Sequence, residues 1–143
     1  VAIKDLHNNI LVKRSISPVA IGTTGTGQVG KPVDTLGFNA VEVIVNYGSV
    51  TATNAVFTAS ILEGDVTGTL TAVAAGNLIG NLPSLAAQAT ARTSGVGKNF
   101  TKRCGYAGTK RYISVNVSST VTAGTLISAD VIGAVAENKP VAT

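Results

Sequence analysis

The chain contains no Met and no Trp, one Cys, one His, three Tyr and three Phe. A zinc centre, which would take several His or Cys, is therefore short of ligands. The lone Cys104 has no partner for an internal disulfide, which fits synthesis in a reducing cytosol. Charged residues make up 13%, about half the usual share, while hydrophobic residues reach 45%, so an intrinsically disordered chain is excluded. Good helix formers are scarce: Glu, Lys, Gln and Arg together number 16 of 143 residues, which excludes a helical bundle. No charge-free apolar run approaches the ~20 residues that span a bilayer. Lys4, Asp5, Lys13 and Arg14 are scattered through the first 21 positions, unlike the basic-then-apolar order of a secretory signal. The sequence opens on Val1, and an initiator Met is expected to have been lost or left unnumbered.

A further absence concerns charge of one sign. Between Asp65 and Asp130 there is no carboxylate, while Arg92, Lys98, Lys102, Arg103, Lys110 and Arg111 contribute +6. The remainder carries −2, beneath an overall charge of +4. One segment is thus distinctly basic, which suits either an acidic partner or the solubility of exposed strand faces.

Val, Ile and Thr are abundant, at 47 of 143 residues, and β-branched side chains fill a pleated surface well. The length fits one domain, 1–143, with an N-terminal arm over 1–9 and a C-terminal tail over 136–143. Apolar residues alternate with polar ones in Asn39–Tyr47, Ala55–Glu63, Lys110–Ser118 and Thr125–Val135. The predicted core faces are Val41, Val43, Val45 and Tyr47; Phe57, Ala59 and Ile61; Ile113, Val115 and Val117 with Arg111; and Ile127, Ala129 and Val131. Further strands are expected at Ile10–Ser17, Val33–Leu36 and Asn99–Cys104, with Pro18 breaking the first or confining it to an edge. Turn residues at Gly48-Ser49, Glu63-Gly64-Asp65, Gly105 with Gly108, and Ala123-Gly124 separate them. The Ala- and Leu-rich stretch 70–90 predicts a short helical turn near Ala72–Leu78, then a loop through Asn81–Pro83. The fold class is all-β: an antiparallel sandwich or jelly-roll-like barrel with a short helical turn and extended termini.

Motifs for chemistry fail on their context. Gly25-Thr26-Gly27-Gln28-Val29-Gly30 has G-x-G-x-x-G spacing, and Lys31 extends it toward a P-loop. A phosphate cradle needs a helix to follow, yet Pro32 replaces the hydroxyl residue and Val33-Asp34-Thr35 reads as extended. A His7–Cys104 dyad would require the arm to fold back onto a distant strand. Glu63 and Asp65 offer too few oxygens for calcium and no apolar surroundings to hold a proton. No catalytic residue, cofactor or metal is assigned.

The most distinctive run is Lys102-Arg103-Cys104-Gly105-Tyr106-Ala107-Gly108-Thr109-Lys110-Arg111-Tyr112, read as a hairpin interleaving four bases with two aromatics. Its residues fit cross-strand packing, or contact with an acidic protein partner through Lys102, Arg103, Tyr106, Lys110, Arg111 and Tyr112. Alternation puts Arg111 on the face of Ile113, so at least one base is expected beneath the sheet edge. Nucleic acid ranks last, because the stripe is short and the rest of the chain is mildly acidic.

Ala2-Ile3-Lys4-Asp5-Leu6-His7-Asn8-Asn9-Ile10, then Ser17-Pro18, Gly37-Phe38, Val41–Tyr47, Ala55–Asp65 and Gly105–Ile113, resemble a family of small virion proteins of tailed bacteriophages. The likeness is weakest over 66–98. It implies a non-enzymatic, homo-oligomeric protein of the virion capsid surface, made in the bacterial cytoplasm. Most simply it would be a decoration (cement) protein bound to the major capsid protein, without small-molecule substrate or membrane. A neck, tail or head-fibre component is the alternative, and a nucleic-acid-binding module a more remote one.

Overall fold

A computed structural model describes residues 5–21, 27–93, 98–121 and 124–136. Among these residues ten strands run in order: β1 (Ile10–Ala20), β2 (Gln28–Val29), β3 (Val33–Asp34), β4 (Phe38–Tyr47), β5 (Phe57–Val66), β6 (Thr69–Ala72), β7 (Leu78–Ile79), β8 (Phe100–Tyr106), β9 (Tyr112–Ser119) and β10 (Leu126–Ala136). All pair antiparallel. One sheet has the order β1-β10-β4-β8-β7, the other β2-β9-β5-β6, and β3 continues the β2 edge along β9. The chain passes from sheet to sheet between β1 and β2, β3 and β4, β4 and β5, β6 and β7, β8 and β9, and β9 and β10. That wrapping is a jelly roll.

The alternating faces predicted from sequence are the faces that meet. Val43, Val45, Phe57, Ala59, Ile113, Val115, Val117 and Ala129 are fully buried, and Tyr47, Ile61, Ile127 and Val131 nearly so. Tyr47 tilts against Phe57, with ring centroids 5.7 Å apart, and its hydroxyl donates to the Pro83 carbonyl. A 3-10 turn at Ala75–Asn77 occupies the expected helical stretch. The following segment straps one end of the sandwich, with Leu85 and Val50 buried and ladder bonds joining Leu85 to Phe57 and Arg92 to Val50.

Three expectations are corrected. The run 102–112 is not a hairpin: β8 pairs β4 and β7 while β9 pairs β5, so residues 107–111 cross between sheets. Stacked sheets lie about 10 Å apart, and the five residues span that thickness rather than folding β9 back beside β8. Glu63-Gly64-Asp65 is not a turn but lies inside β5, with the reversal at Thr67-Gly68, because Leu62 and Glu63 pair with Ala72 and Thr71. The described part of the N-terminal arm is not extended. Asp5 accepts from the Asn8 backbone N–H (3.1 Å) and side chain (2.7 Å), closing a turn over 7–9. The tail beyond Ala136 lies outside the described residues.

Candidate interaction surface

The pairings gather specific segments at one end of the sandwich. Ile10 faces Ala134, Phe38 faces Ala136, Val41 faces Tyr106, and Gly64 faces Tyr112. The start of β1, the 35–37 loop, the β5–β6 turn, the 107–111 crossing and the end of β10 therefore share this end. So do four exposed aliphatic side chains: Leu6, Leu36, Val66 and Val135 are 59–67% exposed.

Tyr106 builds the crossing. Its ring is buried, its hydroxyl donates to Glu63 Oε2, and it accepts from the Lys110 backbone N–H at 3.0 Å. Burial first, and the adjacent Glu63 carboxylate second, push its phenol up to about 12. Gly108 lies against that hydroxyl, where any Cβ would come within 2.3 Å of it. Lys110 Nζ meets Asp65 at 2.5 Å, and Arg111 binds Asp34 through Nε and Nη2 at 3.0 and 2.7 Å. These contacts hold both carboxyls below the usual carboxylate range. Thr35 donates through Oγ1 and N to the Arg111 carbonyl, tying the crossing to the neighbouring loop. A cleft of about 470 Å³ separates the two, lined by Leu36, Phe38, Tyr106, Gly108, Thr109 and Lys110.

The six residues singled out from sequence thus have different places. Tyr106 is internal to the crossing, and Tyr112 is half-buried beneath the Arg111 guanidinium, 5.1 Å from its centroid. Lys110 and Arg111 are exposed and ion-paired. Arg103 is exposed and reaches Glu42 at only 3.7 Å. The base on the core-facing side is Lys102, in register with buried Val45 and itself half-buried, not Arg111, which precedes β9 and points to Asp34. Arg92, counted in the basic segment, is 3% exposed and donates to the Ala55 and Ala86 carbonyls at 3.0 and 2.8 Å. The excess of bases read along the sequence is thus largely neutralised or buried, because its acids come from other strands.

The rejected chemistries have plain placements. Cys104 is buried beside the Ile79 carbonyl, and burial, then Glu42, raises its thiol pKa. β8 is separated from β1 by β4 and β10, so His7 and Cys104 are not brought together. Gly25 and Thr26 lie outside the described residues, and after Gly27 the chain continues as β2 and β3 rather than a helix. Among the described residues no group of three His, Cys, Asp or Glu is placed to hold a metal ion. No helix among them is long and apolar enough to cross a membrane.

Sequence reasoning missed Lys13, Arg14 and Lys31, which the fold brings together along one groove. Their charges come from β1 and from the β2–β3 connection, in the part of the chain whose sum is negative, so no local run announced them.

No family model matches the chain, and no curated protein matches it in sequence. Among solved structures it is similar to a chain of the Bacillus endospore appendages, described as disulfide-linked pili. That likeness has 14% identity and TM-score 0.41, over 94% of this chain and 97% of that one. It is similar to the xylan-binding module CBM15 at 17% identity and TM-score 0.46, covering 94% and 95%. A chain of infectious bursal disease virus, Gx strain, gives 9% identity and TM-score 0.49, covering 89% of this chain and 32% of that one. Likenesses of this size do not bear on what this chain does.

Proposed function

We propose that this chain is a non-enzymatic structural protein of a virion, most simply a homo-oligomeric decoration protein on the head of a tailed phage. The observation that carries the reading is the clustering of Leu6, Leu36, Val66 and Val135 at the end that also holds the 107–111 crossing and the ends of β1 and β10. Exposed aliphatic groups that share this end with the pairs Lys110–Asp65 and Arg111–Asp34 suit an interface of mixed apolar and polar character. The sequence resemblance supplies the virion, and the major capsid protein is the proposed partner. Binding across neighbouring capsid subunits would add to shell stability by mass action.

Arg103 and Tyr112 join this proposed contact at its margins, whereas Tyr106 and Lys102 support it from within. The double variant Leu36→Asp/Val66→Asp, checked for an unchanged circular dichroism spectrum, should lose binding to undecorated heads in co-sedimentation. Arg103→Glu should weaken binding modestly, and more at low salt. Full binding by the double Asp variant would overturn the docking end. A cryo-EM map placing the chain at the neck or tail would overturn the decoration role.

A further inference from the structure

The seam where the first edge of one sheet meets the first edge of the other carries a groove of about 420 Å³. One wall is the edge strand β1 at Val12, Lys13 and Arg14; the other is Lys31 and Pro32, between β2 and β3, with Val33 at the start of β3. The seam closes at Ser15, whose carbonyl accepts the Lys31 N–H at 2.7 Å and whose hydroxyl donates to the Lys31 carbonyl at 3.0 Å. Beyond that point the walls part. Lys13, Arg14 and Lys31 are all exposed, and among the described residues none has an ion-pair partner. Asp34, at the groove's end, is held by Arg111 through two hydrogen bonds and does not neutralise them. Asp130 stands opposite Arg14 in the β1–β10 register, so Lys13 on one wall and Lys31 on the other carry the uncompensated charge.

We propose that this groove docks an extended acidic polypeptide segment of a partner protein, independently of whether that partner belongs to a virion. Three lines of physical reasoning fix the occupant. Uncompensated cations on both walls call for carboxylates spaced along a strand-like chain rather than for one small anion. The strand wall is a sheet edge, where an extended segment can take up free main-chain donors and acceptors. The remaining lining, Val12, Pro32 and Val33, is aliphatic, without an aromatic face on which a nucleic-acid base could stack.

The test titrates the full chain with capped hexaglutamate, followed by NMR and calorimetry, with hexaglutamine as the uncharged control. Amide shifts should concentrate at 12–14 and 30–33, and affinity should fall as salt rises. Lys13→Glu/Lys31→Glu should weaken binding roughly tenfold or more, the usual scale for losing close charge pairs. Gln88→Glu/Thr93→Glu/Lys98→Glu, with the same change in net charge elsewhere, should leave it within about twofold. Lys13→Gln/Lys31→Gln gives a milder variant if the reversed one fails to fold. Equal weakening by both sets of Glu substitutions, or shifts spread over the surface, would reduce the effect to net charge and overturn the groove. Tighter binding of oligodeoxythymidine at the same residues would overturn the polypeptide occupant.

Discussion

At the scale of single residues, the Gly-Tyr-Ala-Gly-Thr-Lys-Arg-Tyr run is foremost a device for shaping a crossing, and Tyr106 is its centre. Its hydroxyl joins a β5 carboxylate to a backbone N–H four residues ahead, so one phenol fixes two elements. Replacing Tyr106 by Phe removes a charge-assisted hydrogen bond and leaves the Lys110 N–H without its acceptor. The expected loss is about 1–3 kcal/mol, read as a lower denaturant midpoint at unchanged slope. The same phenol sets an alkaline limit. An unfolded tyrosine deprotonates near 10.0 while Tyr106 holds its proton to about 12, so between these values the folded state binds more protons. Stability therefore falls as pH rises through that window. Tyr47, buried against Phe57, is raised further and adds to the loss in the same direction. Wild type should lose stability steeply above pH 10, and Tyr106→Phe less steeply. Parallel pH curves for the two proteins would refute the assignment. On the acid side the sign reverses. The lowered pKa values of Asp34 and Asp65 favour folding at neutral pH, and that help fades as pH falls through their depressed values.

At the scale of elements, the long inner strands announced themselves and the edges did not. β4, β5, β9 and β10 alternate because one face packs on the core while the other meets water, and that period needs no partner to be read. β2, β6 and β7 have only two to four residues, too few for a period, and exist because a neighbour offers free backbone groups. Pairing was misread at β8–β9 because glycines at 105 and 108 suit a hairpin equally well. What decides is that β4 is already bordered by β10 and needs β8 on its other flank. The edges themselves are blunted over most of their length. β7 is two residues long, β1 is interrupted past Arg14 by Pro18 and two register shifts, which leaves only its first part regular, and Pro32 interrupts the β2–β3 edge. Gly30 is where that interrupted edge crosses Ser15 and β9. A Cβ there would come within 2.3 Å of both Ser15 Oγ and the Val115 carbonyl oxygen. Gly30→Ala should destabilise by about 1–3 kcal/mol or more, because the obstruction includes backbone. A denaturation midpoint unchanged by the substitution would show that the seam can yield. Such a seam would not hold the groove walls formed by Lys13 and Lys31 in place.

For the whole molecule, what the sequence left open is long-range placement, and charge shows it best. Six bases without an intervening acid looked like one basic face, yet Asp34, Glu42 and Asp65 arrive from other strands to meet three of them. Lys13, Arg14 and Lys31 converge only once both sheets exist. The same long-range logic governs how the chain folds. β10 is the last of the described strands, yet it lies between β1 and β4, with Ile10 facing Ala134 and Val43 facing Val131. Its Ile127, Ala129 and Val131 are buried at the centre of the core. Without β10, β1 has no partner in its sheet, β4 becomes an edge, and the apolar residues of β5 and β9 lose their cover. Because loop-closure entropy must be met before these contacts form, folding should be slow, in the millisecond-to-second range typical of β-sandwiches. A chain ending at Gly124 should therefore show no cooperative unfolding and no dispersed amide NMR spectrum. A synthetic peptide covering 125–136 should restore dispersion when added in excess. A chain starting at Ile10 should keep the fold, since the turn it removes is closed by its own Asp5–Asn8 bonds and belongs to neither sheet. A native-like spectrum from the chain ending at Gly124 would mean that β4 and β8 with the second sheet form a sufficient core, and that β10 is added to a fold already made.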